Sequence, residues 1–194
     1  KMSKSLGNSI VLTELLDTYN AEVIKFALLS TNYKNDINIT DNLFPDAEKH
    51  MYDFYKILAV AENMNGEKLS EELPINSEFD SAMSDDFNTA LALSNLFSYF
   101  KAIKSKVNNG DSTAKLDALA LRKTYSLLGL FTKDANMFIK EVDAKYSSKV
   151  PKEVTDLAEE RISARKNKDW AKSDELRDKI ASLGYIVKDT RDGY

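Results

Sequence analysis

Apolar residues recur at helical spacing along most of this chain, and residues that interrupt helices are scarce. Leu12, Leu15, Leu16 and Tyr19, then Val23, Ile24, Ala27 and Leu28, form two amphipathic stretches with the period of an α-helix. Only six Gly and three Pro occur in 194 residues, so turns are few and the pattern predicts a mainly α protein. With 43% hydrophobic residues the chain can fill a core, which excludes disorder by composition. The absence of Cys excludes a disulfide, a thiol nucleophile and a Cys-ligated zinc site. A single histidine, His50, argues against a Ser-His-Asp triad or a multi-His metal site. No metal site is expected. The longest apolar runs, such as residues 57–61, are far too short to span a membrane, and no signal peptide is recognisable. The chain opens on Lys1 and not Met, which leads us to expect a fragment or a processed product.

Further along, residues 44–63 read as a long helix with Pro45 in its first turn and Gly66 beyond its end. Residues 36–40 read as an extended connector, and 67–77 as a polar loop whose charged residues face solvent. Helix resumes near Phe79, and Leu91, Leu93, Leu96, Phe97 and Phe100 carry an apolar face toward the stop at Asn108-Asn109-Gly110. Tyr52, Phe54, Tyr55 and Tyr99 are expected in the core with Phe97 and Phe100. His50 is expected at the core edge or in solvent. Residues 114–130 form a further helix ended by Gly129, and 133–149 are weakly patterned. Pro151 opens a helix with Val154, Leu157, Ala158 and Ile162. Asp169 caps another, with Leu176, Ile180 and Leu183 inward and Gly184 just past its end. Tyr185-Ile186-Val187 reads as a short strand before the turn signal Asp192-Gly193. The expected architecture is an antiparallel helical bundle with a small α+β C-terminal module. Its expected divisions are a loop-helix segment (1–40), the bundle (41–148) and the terminal module (149–194).

Charge is unevenly distributed. The formal net charge of −4 comes entirely from residues 41–140, where 11 Lys/Arg face 15 Asp/Glu. Of only five Arg, four (161, 165, 177, 191) lie in the last 34 residues. Arg161, Arg165, Lys168 and Lys172 follow i, i+4, i+7, i+11 and would share a face on an unbroken helix. Asp169 is expected to break it, leaving two helices joined at a basic corner. Such a corner can grip a phosphate backbone, and Trp170 offers a plane for an unpaired base. Trp170 can equally pack between the two helices. Asp174 and Asp189 could accept from base amino groups or simply pair with nearby Lys or Arg. The adjacent Asp85-Asp86 reads as a helix N-cap with first-turn charge, not a metal pair.

At the other end, Lys1-Met2-Ser3-Lys4-Ser5-Leu6-Gly7-Asn8 sets two ammonium groups and hydroxyls on a loop, a chemistry suited to polyphosphate. The string Lys-Met-Ser-Lys-Ser resembles the second ATP signature of class I aminoacyl-tRNA synthetases. Glu22-Val23-Ile24-Lys25-Phe26, Leu28-Leu29-Ser30-Thr31 and Ile37-Asn38 resemble the segment that follows it in the cysteinyl-tRNA synthetase family. Ser84-Asp85-Asp86-Phe87-Asn88-Thr89 resembles that family's block at the start of a bundle helix. The series from Arg165 to Ala171, with Asp174, Arg177-Asp178, Gly184 and Asp189-Thr190, resembles its anticodon-binding module.

The resemblance implies a protein that attaches cysteine to tRNA(Cys) with ATP and Mg, in the cytoplasm and as a monomer. It implies that Lys1, Met2, Ser3, Lys4 and Ser5 bind ATP, with Lys4 on its phosphates. It implies that Arg165, Asp174 and Asp189 contact the GCA anticodon, with Trp170 alongside. The family's zinc ligands and nucleotide-binding domain precede the ATP loop, so zinc belongs to the intact enzyme and this chain alone should be inactive. The family also continues beyond Asp189-Thr190, so a clipped end after Gly193-Tyr194 is expected. Two rival readings are a helical protein-interaction module and a paralogue that ligates cysteine to a small molecule.

Overall fold

The computed structural model describes residues 11–65, 73–147 and 150–187, and among these every regular element is a helix. The helices are α1 (Leu12–Thr18), α2 (Ala21–Leu29), α3 (Leu43–Glu62), α4 (Ser77–Ser84), α5 (Thr89–Asn108), α6 (Ala114–Ser126), α7 (Ala135–Ser147), α8 (Lys152–Lys166) and α9 (Trp170–Ser182). The chain divides into two compact units, Lys1–Lys140 and Glu141–Tyr194.

In the first unit, α3 packs on α2, α5 and α6, while α5 also packs on α4 and α6. Stacked rings fill the centre: Phe54 on Phe100 with centroids 4.1 Å apart, and Tyr55 on Phe138 at the same distance. Met51, Leu58, Leu96, Ile103 and Leu121 complete it with no exposed surface. Each such burial is worth roughly 1.5–3 kcal/mol. Phe54, Tyr55 and Phe100 are therefore core residues as expected. Phe97 is not, being 41% exposed beside the exposed His50 at 5.1 Å.

One carboxylate is buried among these rings. Glu22, at the start of α2, accepts from the Tyr55 hydroxyl (2.6 Å), the Phe131 amide (2.8 Å), the Thr132 amide (2.9 Å) and the Thr132 hydroxyl (2.5 Å). Arg122 lies close by and donates to the carbonyls of Phe131 and Lys133 (2.6 Å each) and to Glu62. Its guanidinium also sits 5.6 Å from the centroid of Tyr55. Tyr55's own pKa is pushed far upward by burial and by the Glu22 contact.

The α4–α5 junction differs from expectation. Asp85 is the C-cap of α4, and Asn88 caps α5 by accepting from the Leu91 amide (3.1 Å). Asp86 and Phe87 take left-handed φ of 53° and 52°, so neither aspartate caps a following helix. Asp86 is instead held by Lys34 and by the Tyr33 hydroxyl at 3.0 Å, contacts 52 and 53 residues away in sequence. Helix α6 ends at Ser126, a turn earlier than its apolar pattern, and Gly129 follows with φ of 67°.

In the second unit α8 packs on α9 around Val154, Ala158 and Ile180, with Tyr185 and Val187 half-buried against them. Gly184, with φ of 84°, ends α9 as its position implies. Leu183 does not turn inward and is 41% exposed. Residues 185–187 keep the in–out alternation of a strand, Ile186 being 89% exposed, yet they form none. A strand needs a neighbour to ladder with, and no described segment supplies one. The Tyr185 amide instead closes α9 on the Ile180 carbonyl (3.2 Å).

Candidate nucleic-acid interface

The predicted basic corner forms, with different membership. Helix α8 ends at Lys166, and the Asp169 side chain caps α9 by accepting from the Lys172 amide (3.1 Å). The turn between them is a Schellman motif: the Asp169 amide donates to the Ala164 carbonyl (2.8 Å) and the Lys168 amide to the Arg165 carbonyl (3.0 Å). That motif places its last residue but one, just past the helix cap, in the left-handed region, where glycine is usual; here it is Lys168, with φ of 58°. The lysine costs backbone energy and gains a cation at the tip of the corner.

Trp170 is the first residue of α9 and is 58% exposed. It does not pack between the helices. The Arg165 guanidinium sits 5.9 Å from the centroid of its ring, a distance suited to a cation–π contact. Asp174 lies one turn beyond Trp170 on α9, so the two share a face, and both Asp174 and Arg165 are exposed. Arg165, Trp170 and Asp174 are thus brought to one end of the two-helix hairpin.

Arg161 is a correction. It lies only 3% exposed on the inward stripe of α8 with Val154, Ala158 and Ala164. Lys172 departs as well, lining an open groove of about 540 Å³ with Asp156, Glu159, Glu160 and Asp169. The four basic residues at helical spacing therefore have three different fates, because the chain turns at 167–169. Asp156, Glu160, Ser163 and Asn167 mark the groove face of α8, opposite Arg165. Phosphate would be repelled from that groove and drawn to the Arg165 corner. Nearby, the Lys179 ammonium at 2.7 Å holds Glu175 below the usual carboxylate range.

Asp189 and the loop Lys1, Met2, Ser3, Lys4 and Ser5 lie outside the described residues. Among the described residues, no group of three or more Asp, Glu or His is placed to hold a metal ion, and no helix is long and apolar enough to cross a membrane. The contacts of Glu22, Arg122 and Asp86 were not foreseen from sequence. A glutamate inside an apolar stretch was the one available signal, since it must find donors if buried.

Three sequence families match in chain order. Residues 1–49 match the tRNA synthetases class I (C) catalytic domain, 78–132 the DALR domain, and 147–194 the cysteinyl-tRNA ligase anticodon binding domain. Two of the three descriptions name tRNA synthetases, which makes this chain part of a class I tRNA synthetase, and their order fits a helical bundle followed by a small C-terminal module of balanced charge. Cysteine–tRNA ligase of Geobacter sulfurreducens is 33% identical over 210 residues, covering all of this chain and 44% of that protein. The ligase of Desulfotalea psychrophila is likewise 33% identical, with the same coverages, and that of Chromohalobacter salexigens is 34% identical, with 41% of its length covered. The chain belongs to the cysteinyl-tRNA synthetase family, and it spans less than half the length of these relatives.

Proposed function

We propose that this chain is the tRNA-reading portion of a cysteine–tRNA ligase, and that it lends an ATP-binding loop to a reaction completed by residues outside it. The whole enzyme activates cysteine with ATP and Mg, releasing pyrophosphate, and transfers the cysteinyl group to the 3′ end of tRNA(Cys) in the cytoplasm. Lys4, supported by Lys1, Met2, Ser3 and Ser5, neutralises charge that builds on the departing pyrophosphate. With no Cys and one His in this chain, a zinc ion of the intact enzyme would be held by residues outside it. The isolated chain, a monomer, is expected to give no ATP–pyrophosphate exchange.

The observation that carries this reading is the pairing of exposed Trp170 with Arg165 at the helix corner. A ring backed by a guanidinium can stack an unpaired base, and the same cation can meet its phosphate. Asp174, and Asp189 by the family resemblance, would accept from exocyclic amines, which all three bases of GCA carry. The helical-interaction reading accounts for neither the exposed ring nor the acidic acceptor beside it. The small-molecule paralogue has no use for this module.

Binding of transcribed tRNA(Cys), compared with a transcript of altered anticodon over a salt series, tests the proposal. A preference for GCA that survives rising salt supports it, because base contacts are less screened than phosphate contacts. Equal binding of both transcripts at every salt concentration defeats it.

A further inference from the structure

Phe87 carries two costs that bring no return in folding. Its ring is 65% exposed, and its backbone is left-handed in succession with that of Asp86, at φ of 52° and 53°. Two adjacent non-glycine residues in that region strain the chain, and such strain lasts only where the surroundings over-determine it. Here they do. The Phe87 amide donates to the Met83 carbonyl (3.1 Å), the Asn88 amide to the Ala82 carbonyl (3.1 Å), and the Phe87 carbonyl accepts from the Thr89 amide (2.7 Å). The turn therefore holds a large ring out in water instead of folding it into the bundle.

Asp86 gathers the neighbouring groups. It accepts from Lys34 and from the Tyr33 hydroxyl (3.0 Å), which fixes a second ring, 63% exposed, beside the turn. The Lys34 ammonium sits 5.7 Å from the centroid of Tyr33, and its side chain stays 60% exposed within the ion pair. Around these rings the surface is polar, since Asn35, Asp36 and Asp85 are all exposed. An apolar protein surface laid over them would have to desolvate the carboxylates and the ammonium. A flat base can stack on a ring and leave those groups in water. Asp85 can accept from a base amino group, and Lys34 can meet the adjoining phosphate. We propose that Phe87, with Tyr33, stacks an unpaired nucleotide of the tRNA outside its anticodon arm. This inference rests on tRNA as the partner of the chain, and not on how the anticodon is read.

The test compares the affinity of the full chain for three RNAs: transcribed tRNA(Cys), the transcript of altered anticodon, and the isolated anticodon stem-loop. Phe87→Ala should weaken binding of both transcripts about tenfold, the order of one lost stack, and leave the stem-loop unchanged. Phe87→Tyr, which keeps a ring, should bind as the parent does. Phe87→Gly relieves the backbone and should melt higher than the parent, yet bind the transcripts as weakly as Phe87→Ala. Stability and affinity then move apart, which a packing role cannot produce. Full affinity of Phe87→Ala for tRNA(Cys) overturns the proposal and leaves the ring to a protein partner. An equal loss on the stem-loop, or a Phe87→Gly chain that melts lower than the parent, overturns it as well. Equal binding of the two transcripts by the parent, with the Phe87→Ala deficit intact, would defeat the anticodon proposal and leave this one standing.

Discussion

Glu22 holds Phe131 in a conformation that a phenylalanine otherwise avoids. Phe131 is buried with φ of 57°, its amide donating to Glu22 at 2.8 Å and its carbonyl accepting from Arg122 at 2.6 Å. Both ends of a strained peptide are thereby fixed by side chains from α2 and α6. The strain is sustained because the ring packs 5.4 Å from Phe100 and 5.6 Å from Tyr55.

Glu22→Gln turns one acceptor into a donor facing N–H and O–H groups that have no other described acceptor in that pocket. A buried donor left unsatisfied costs about 1–3 kcal/mol, so the variant should unfold earlier by that amount in urea. An unchanged midpoint would show the cradle to be energetically idle.

Arg122→Lys keeps the charge and loses the planar fork that spans Glu62, Phe131 and Lys133. A loss of about 1–3 kcal/mol is expected from the abandoned carbonyls. The same urea titration measures it, and a double variant with Glu22→Gln should be non-additive, since both residues act on Phe131.

Alkaline stability follows from two buried phenols. Burial pushes the pKa of Tyr55 and Tyr125 above the ordinary tyrosine value, with Glu22 adding to the first and Glu78 to the second. A raised folded pKa means the native state keeps protons that the unfolded chain releases. Stability is therefore full below about pH 10, the unfolded tyrosine value, and falls as pH rises beyond it. Melting temperatures between pH 8 and 11 should show the decline, and Tyr125→Phe should flatten it. A Tyr125→Phe profile as steep as the parent's would assign the decline to other groups.

At the basic corner stability and binding should move in opposite directions. Lys168→Gly relieves a left-handed residue and should stabilise the second unit by about 1 kcal/mol. It also removes a cation, so the salt dependence of tRNA binding should become shallower by about one phosphate contact. A variant both more stable and equally salt-sensitive would show that Lys168 does not meet RNA.

Trp170→Ala should weaken tRNA(Cys) binding by about 1–3 kcal/mol, the usual worth of one stacked base. Trp170→Phe, which keeps a ring, should recover part of that loss. Equal losses in the two variants would show that no base stacks on this ring.

Local chemistry determined much of this protein without a structure. Helical spacing, scarce Gly and Pro, and the caps at Asn20, Asp169 and Gly184 are decided within a few residues, and the helices formed accordingly. The break at Asp169, and with it the corner bearing Arg165 and Trp170, was legible for the same reason. Tertiary structure decided which of several equal-looking residues face inward. Arg161 and Arg165 are a single turn apart, yet one is buried on the hairpin stripe and the other exposed beside Trp170. Asp86 could have capped a helix but spans to Tyr33 and Lys34, and Glu22 found donors more than a hundred residues away. Such outcomes depend on which distant surfaces meet, and helical period carries no information about that.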